Sequence, residues 1–172
     1  MTDPLLTYQT PEPRPSTPLL TGTWIYILVL GCIYCLAGIC LGGSTLLAFS
    51  FITHVAPAGA GPPRGTLMTI MIITGLIMFL LPAGSGGAFI WSALRIRRGS
   101  RPAAITALVI AILNGGGLLI LVCLGAIGMA MRSDSDPSAF VGVLFYLLPV
   151  GMNIAAIVLI TRLLAQWRRA AY

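Results

Sequence analysis

The stretch Gly75–Arg95 reads GLIMFLLPAGSGGAFIWSALR, and the stretch Gly142–Arg162 reads GVLFYLLPVGMNIAAIVLITR. Aligned without a gap, Gly75, Leu80, Leu81, Pro82, Gly84, Ala88, Ile90 and Arg95 fall on Gly142, Leu147, Leu148, Pro149, Gly151, Ala155, Ile157 and Arg162, and Phe79 falls on Tyr146. Leucines coincide by chance in any apolar sequence. A proline, three small residues and an arginine in one register rarely do. Each copy lies in a long apolar run that ends on arginine, so each predicts a membrane-spanning helix with a proline near its middle.

A second, weaker match accompanies the first. Shifted by 83 residues, Ile27, Leu30, Leu36, Cys40, Leu41 and Gly42 fall on Ile110, Leu113, Leu119, Cys123, Leu124 and Gly125. The predicted fold is therefore all-α and integral to a membrane. It is a four-transmembrane-helix bundle built as a tandem repeat of helix pairs, both copies entering the membrane in the same direction.

Composition agrees. Of 172 residues, 58% are hydrophobic and 8% charged, far below the roughly one quarter charged in soluble domains. The apolar runs lie at about 24–52, 67–94, 103–131 and 139–165, each longer than the roughly 20 residues that cross about 30 Å of hydrocarbon. None contains an acidic residue. They make one transmembrane domain, 23–172, behind a tail, 1–22, that carries Pro4, Pro11, Pro13, Pro15 and Pro18. A tail of this composition cannot bury enough apolar area to fold and is expected to be extended, partly polyproline II. The Pro15–Pro18 spacing also suits a docking peptide.

All ten basic residues are arginine, which points to a high-GC bacterial genome and so to a bacterial cytoplasmic (inner) membrane. Arg95, Arg97, Arg98 and Arg101 separate the second and third runs, and Arg162, Arg168 and Arg169 close the fourth. By the positive-inside rule these ends, and with them both termini, face the cytoplasm. There the arginines can meet anionic headgroups. The opposite side has only Arg64 and Arg132, the latter offset by Asp134 and Asp136. Topology thus accounts for the net charge of +6 without a nucleic-acid partner. The partners expected are the lipid bilayer and another membrane protein or a second copy of the chain.

Counting about 1.5 Å per residue from the arginine end puts Asn114 and Asn153 each roughly 18 Å deep, with Cys35 and the Gly84–Gly87 segment near the same level. Buried amides need partners, and bonding each other would lock the third and fourth helices in register. Alternatively Asn114 and Asn153, with Gly84, Gly86 and Gly115, line a midplane polar site between helices kinked at Pro82 and Pro149. Gly31, Cys35, Gly38 and Gly42 form one small-residue stripe, and Ala107, Ala111 and Gly115 another; such stripes let a neighbouring helix approach closely.

Cys32-x-x-Cys35 has the spacing of a membrane thiol–disulfide oxidoreductase. Cys32 lies roughly 13 Å inside its helix, however, and no loop cysteine is available to relay electrons. His54 is the single histidine, where a haem held between helices usually takes two axial ligands; it is expected to be an exposed loop histidine. No run carries an Asp, Glu, Lys or Arg away from its ends, and no catalytic triad, phosphate loop or metal motif is present. The expectation is a non-catalytic chain without cofactor or metal, serving as an accessory or structural subunit of a larger assembly. A protein that binds or passes a small molecule, lipid or neutral solute at the midplane is the alternative, and a thiol–disulfide oxidoreductase a further one.

Overall fold

The computed structural model describes residues 17–55, 64–130 and 137–169. They form four helices: α1 (Thr17–Val55), α2 (Arg64–Arg97), α3 (Arg101–Ala130) and α4 (Pro137–Arg169). All four contain a segment long and apolar enough to cross a bilayer, as a multi-pass membrane protein requires. Their surface fits that solvent: Leu81, Leu113 and Leu148 are 68–69% exposed, and apolar side chains face outward along every helix. Contiguous apolar surface of this extent is not tolerated in water. The outward-facing helix threonines hide their hydroxyls from such surroundings by donating to the carbonyl four residues back, as Thr106 does to Pro102 at 3.0 Å and Thr161 to Ile157 at 2.6 Å.

The helices run longer than the apolar runs that mark them. The difference is largest in α1, which begins at Thr17 rather than near residue 24. The end of the expected tail is therefore helical. Pro18 falls in the first turn, where its missing N–H costs nothing, and Leu19 and Leu20 pack against the core. Residues 1–16, which hold the Pro15 end of the proposed docking motif, lie outside the described residues, as do residues 56–63 and the Arg132–Asp136 segment. His54, expected in a loop, lies instead in the last turn of α1, which continues past the apolar run.

Helices α1 and α2 form one hairpin and α3 and α4 another; α2 also packs on α3, and α4 on α1. Pro82 and Pro149 thus belong to helices on opposite corners of the bundle. Both helices continue through their prolines. Behind each proline a side chain binds back to the proline carbonyl, Ser85 Oγ at 3.0 Å and Asn153 Nδ2 at 2.7 Å.

The turn between α2 and α3 is three residues long, and glycine decides it. Gly99 has φ +83°. Its N–H donates to Ile96 (2.8 Å) and that of Ser100 to Arg95 (3.1 Å), which closes the helix in a Schellman motif. The Ser100 carbonyl then accepts from Ala104 as α3 begins. A side chain at position 99 would put Cβ against the carbonyl at about 1–2 kcal/mol. Gly99→Val is expected to lower stability by at least that amount, measured as a shift of the unfolding midpoint in a denaturing-detergent titration.

The core occupies the arginine end. Ile27 and Leu30 of α1, Phe89 and Ile96 of α2, and Ile160 and Leu163 of α4 are fully buried there. Helix α3 presents Ala103, Ala104, Ala107 and Ala111, whose small side chains let larger neighbours close over it. Around this end Arg97 lies over the Trp24 ring at 5.4 Å, Arg95 over Trp91 at 4.5 Å, and Arg101 Nη2 donates to the Trp167 carbonyl at 3.0 Å. Aromatic rings and arginines therefore share one rim of the bundle, where both groups would sit at a membrane interface.

Candidate functional site

The midplane layer is built by three contacts. The first is the small-residue stripe of α1, which lies against α2. A Cβ at Gly31 would stand 2.8 Å from the Gly86 carbonyl, one at Gly38 2.9 Å from the Ala83 amide, and one at Gly42 2.8 Å from Phe79 Cβ. Such distances are unattainable for any residue but glycine, so the stripe sets how closely the two helices approach. Cys35, in the same stripe, directs Sγ toward the Ala83 carbonyl at 3.8 Å. Cys32 is exposed on the bundle surface; the two cysteines look in different directions.

The second contact joins α1 to α4. Asn153 is fully buried, and its Nδ2 donates both to the Tyr34 hydroxyl and to the Pro149 carbonyl. The Tyr34 ring is tilted on Phe89, with centroids 5.8 Å apart. Two turns nearer the arginine rim, Tyr26 donates to the Met152 carbonyl at 2.9 Å. Two tyrosine hydroxyls thus tie α1 to α4. The third contact is between α4 and α3, where a Cβ at Gly115 would lie 3.2 Å from Asn153 Cβ.

The expected bond between Asn114 and Asn153 is not formed. The Asn153 nitrogen is taken by Tyr34 and by its own helix, so α4 is tied to α1 and not to α3 through this side chain. Asn114 Nδ2 and Asn153 Oδ1 are both buried without a partner. Of the five residues grouped by depth, Asn153 and Gly115 come together. Gly86 is instead filled by the α1 contact, with Cys35 Sγ and the Gly31 carbonyl each 2.7 Å from where its Cβ would be. Gly84 is exposed with nothing near it. Depth alone cannot distinguish them, because adjacent positions at one level point to different sides of a helix.

Tyr34 is the member that depth counting misses. A phenol at mid-helix between apolar neighbours requires a hydrogen-bond partner when buried, and that requirement was the available signal. The Tyr34–Asn153 bond is expected to be worth about 0.6–1.7 kcal/mol. A double-mutant cycle of Tyr34→Phe and Asn153→Leu, read by unfolding in detergent, should return that coupling; strict additivity would remove the bond from the account.

No metal-binding group of histidine, cysteine or carboxylate side chains occurs among the described residues. Comparison with protein-family models, with curated proteins and with solved structures found no match to this chain.

Proposed function

We propose that this chain is a small non-catalytic subunit of a larger membrane assembly. The observation that carries the reading is α3 beyond its core contact: from Ile112 to Gly128 no residue is fully buried, and Asn114, Gly115, Leu118 and Val122 alone are half-buried. A bundle that is complete by itself buries one stripe of each helix along its length. The outer half of α3 has that stripe only partly covered, and Gly116, Gly117 and Gly128 have open space where a Cβ would stand, which suits close approach by a helix from outside. Purification in mild detergent should give a stoichiometric membrane-protein partner or a second copy of the chain. Gly117→Leu should remove it, and Gly87→Leu, an open position on α2, should not. A monodisperse, partner-free monomer would count decisively against the reading.

A second reading, a binding site for a neutral small molecule or lipid, is favoured by the two buried amide atoms without partners, Asn114 Nδ2 and Asn153 Oδ1. The thiol–disulfide reading has less support. Changing Cys32 and Cys35 to serine should leave the function of the assembly intact.

The finer architecture belongs to the same proposal. The rim of arginines is read as cytoplasmic, in a bacterial inner membrane. The helix pairs are read as a duplication. Two features support it: Gly86, Phe89, Ala93 and Ile96 of α2 and their counterparts Asn153, Ala156, Ile160 and Leu163 of α4 are all buried, and each hairpin contact is more extensive than either contact between hairpins. The match of α1 to α3 has drifted further, with Leu30 buried and its counterpart Leu113 exposed.

A further inference from the structure

The arginine end carries charge that nothing described in the bundle neutralises. Seven of the ten arginines, those from Arg95 to Arg101 and from Arg162 to Arg169, stand there. The described residues contain no carboxylate. Asp134 and Asp136 fall in the segment that links the far ends of α3 and α4, and Asp3 and Glu12 precede α1, where Arg14 offsets one of them.

The charge is most organised on one face of α2. Trp91, Arg95 and Arg98 follow at spacings of four and three, which puts them on one side of the helix. All three are exposed, Trp91 by 48%. Arg98 is held beside Arg95 by its amide, which donates to the Arg95 carbonyl at 3.0 Å. Side chains lean toward the N-terminus of their helix, and in α2 that direction is into the apolar segment. Arg95 accordingly lies back over the Trp91 ring at 4.5 Å, and the Cα of Trp91 is about 6 Å nearer the bilayer centre. The ring attracts the guanidinium without neutralising it. An arginine that only marked the end of a crossing would reach the other way, into water. Deeper on the same face nothing lies within 4 Å of a Cβ position at Gly87 or Gly84, so an acyl chain can lie close to the helix.

We propose that Trp91, Arg95 and Arg98 bind the phosphate of an acidic phospholipid in the leaflet at the arginine end. The two guanidiniums offer their N–H donors to the non-bridging phosphate oxygens, and the Trp91 ring lies at the headgroup depth that such rings prefer. Two positive charges select a headgroup that has no cation of its own. A choline headgroup brings a third positive charge to the same place, and a glycerol headgroup brings none. The depth of the Arg95–Trp91 pair favours a ligand anchored in the bilayer over a soluble acidic partner. The second copy of the repeated stretch supplies an internal comparison. Arg162 corresponds to Arg95, but Val158 stands in place of Trp91, Ala165 in place of Arg98 and Ile154 in place of Gly87. That face of α4 has one charge, no ring and no second guanidinium, and is expected to hold no lipid of its own. The proposal concerns α2 and is independent of the subunit reading, which concerns α3.

The test is native mass spectrometry of the full chain in mild detergent, titrated with phosphatidylglycerol or with phosphatidylcholine. Detergent has no sides, so the topology signal of the arginines does not enter the readout. One phosphatidylglycerol per chain should bind saturably, about tenfold more tightly than phosphatidylcholine. Arg95→Gln combined with Arg98→Gln should remove that preference, and Trp91→Leu should weaken it about threefold. Arg162→Gln should leave it unchanged. All four positions are exposed, so each variant should keep the helix content and unfolding midpoint of the parent. If Arg162→Gln weakens binding as much as Arg95→Gln does, the lipid answers only to net charge and the α2 site is overturned. Equal binding of the two lipids overturns the selection for an acidic headgroup, and with it the proposal. If phosphatidylglycerol binds only after Asp3→Asn and Glu12→Gln, the occupant of this face is the chain's own N-terminal carboxylates, and the proposal is overturned as well.

Discussion

Gly86→Leu should leave no folded bundle, whereas Gly84→Leu, two residues earlier on the same helix, should fold as the parent does. A Cβ at 86 meets the Gly31 carbonyl at 2.7 Å and the Cys35 amide at 2.8 Å. Those are backbone atoms, which cannot rotate away, so α1 and α2 must separate. They can do so only by giving up the neighbouring contacts at Gly31, Gly38 and Gly42. Even alanine is expected to cost about 1–3 kcal/mol here. Leucine carries its bulk further into α1 and adds to that. At 84 and 87 nothing lies within 4 Å, and alanine should be neutral or stabilise by up to about 1 kcal/mol through helix propensity. The measurement is a detergent-unfolding series over the three positions. Equal effects at 84 and 86 would show that α2 is rotated away from the contact described.

Phe89→Ala should be the costliest single truncation in the core. Phe89 is the largest fully buried side chain among the described residues, and its ring supports Tyr34 at 5.8 Å. Loss of a buried phenylalanine costs about 3–5 kcal/mol in water-soluble cores. The low end applies here, because a helix separated within lipid already shelters its apolar surface and only the packing is lost. The cavity also frees the Tyr34 ring, so the bond to Asn153 should weaken with it. Trp91→Ala removes a larger ring two residues on, but Trp91 faces outward and holds only Arg95 against its face. It should cost no more than about 1 kcal/mol. Unfolding measurements on the two variants decide the order; a larger loss at Trp91 would mean that the outward face of α2 is buried in the working protein.

The amino-acid sequence by itself determined the number, type and membrane character of the helices. Hydrocarbon demands some twenty apolar residues per crossing and internally satisfied backbone, and both demands are met or failed residue by residue along the chain. The glycine stripe of α1 was legible for the same reason, since spacings of three and four put small residues on one face of any helix. The tail boundary was not, because whether Leu19 and Leu20 join a helix depends on a core lying within their reach.

The polar layer was decided by tertiary structure alone. Depth counting groups Gly84, Gly86, Asn114, Gly115 and Asn153, but it is blind to rotation about the helix axis, and each residue adds about 100°. That rotation turned Gly84 outward, pressed Gly86 onto α1 and gave the Asn153 nitrogen to Tyr34. Which partner a buried amide takes is a contest among groups on different helices. A one-dimensional pattern records that Asn153 needs a partner, and only packing chooses Tyr34 over Asn114.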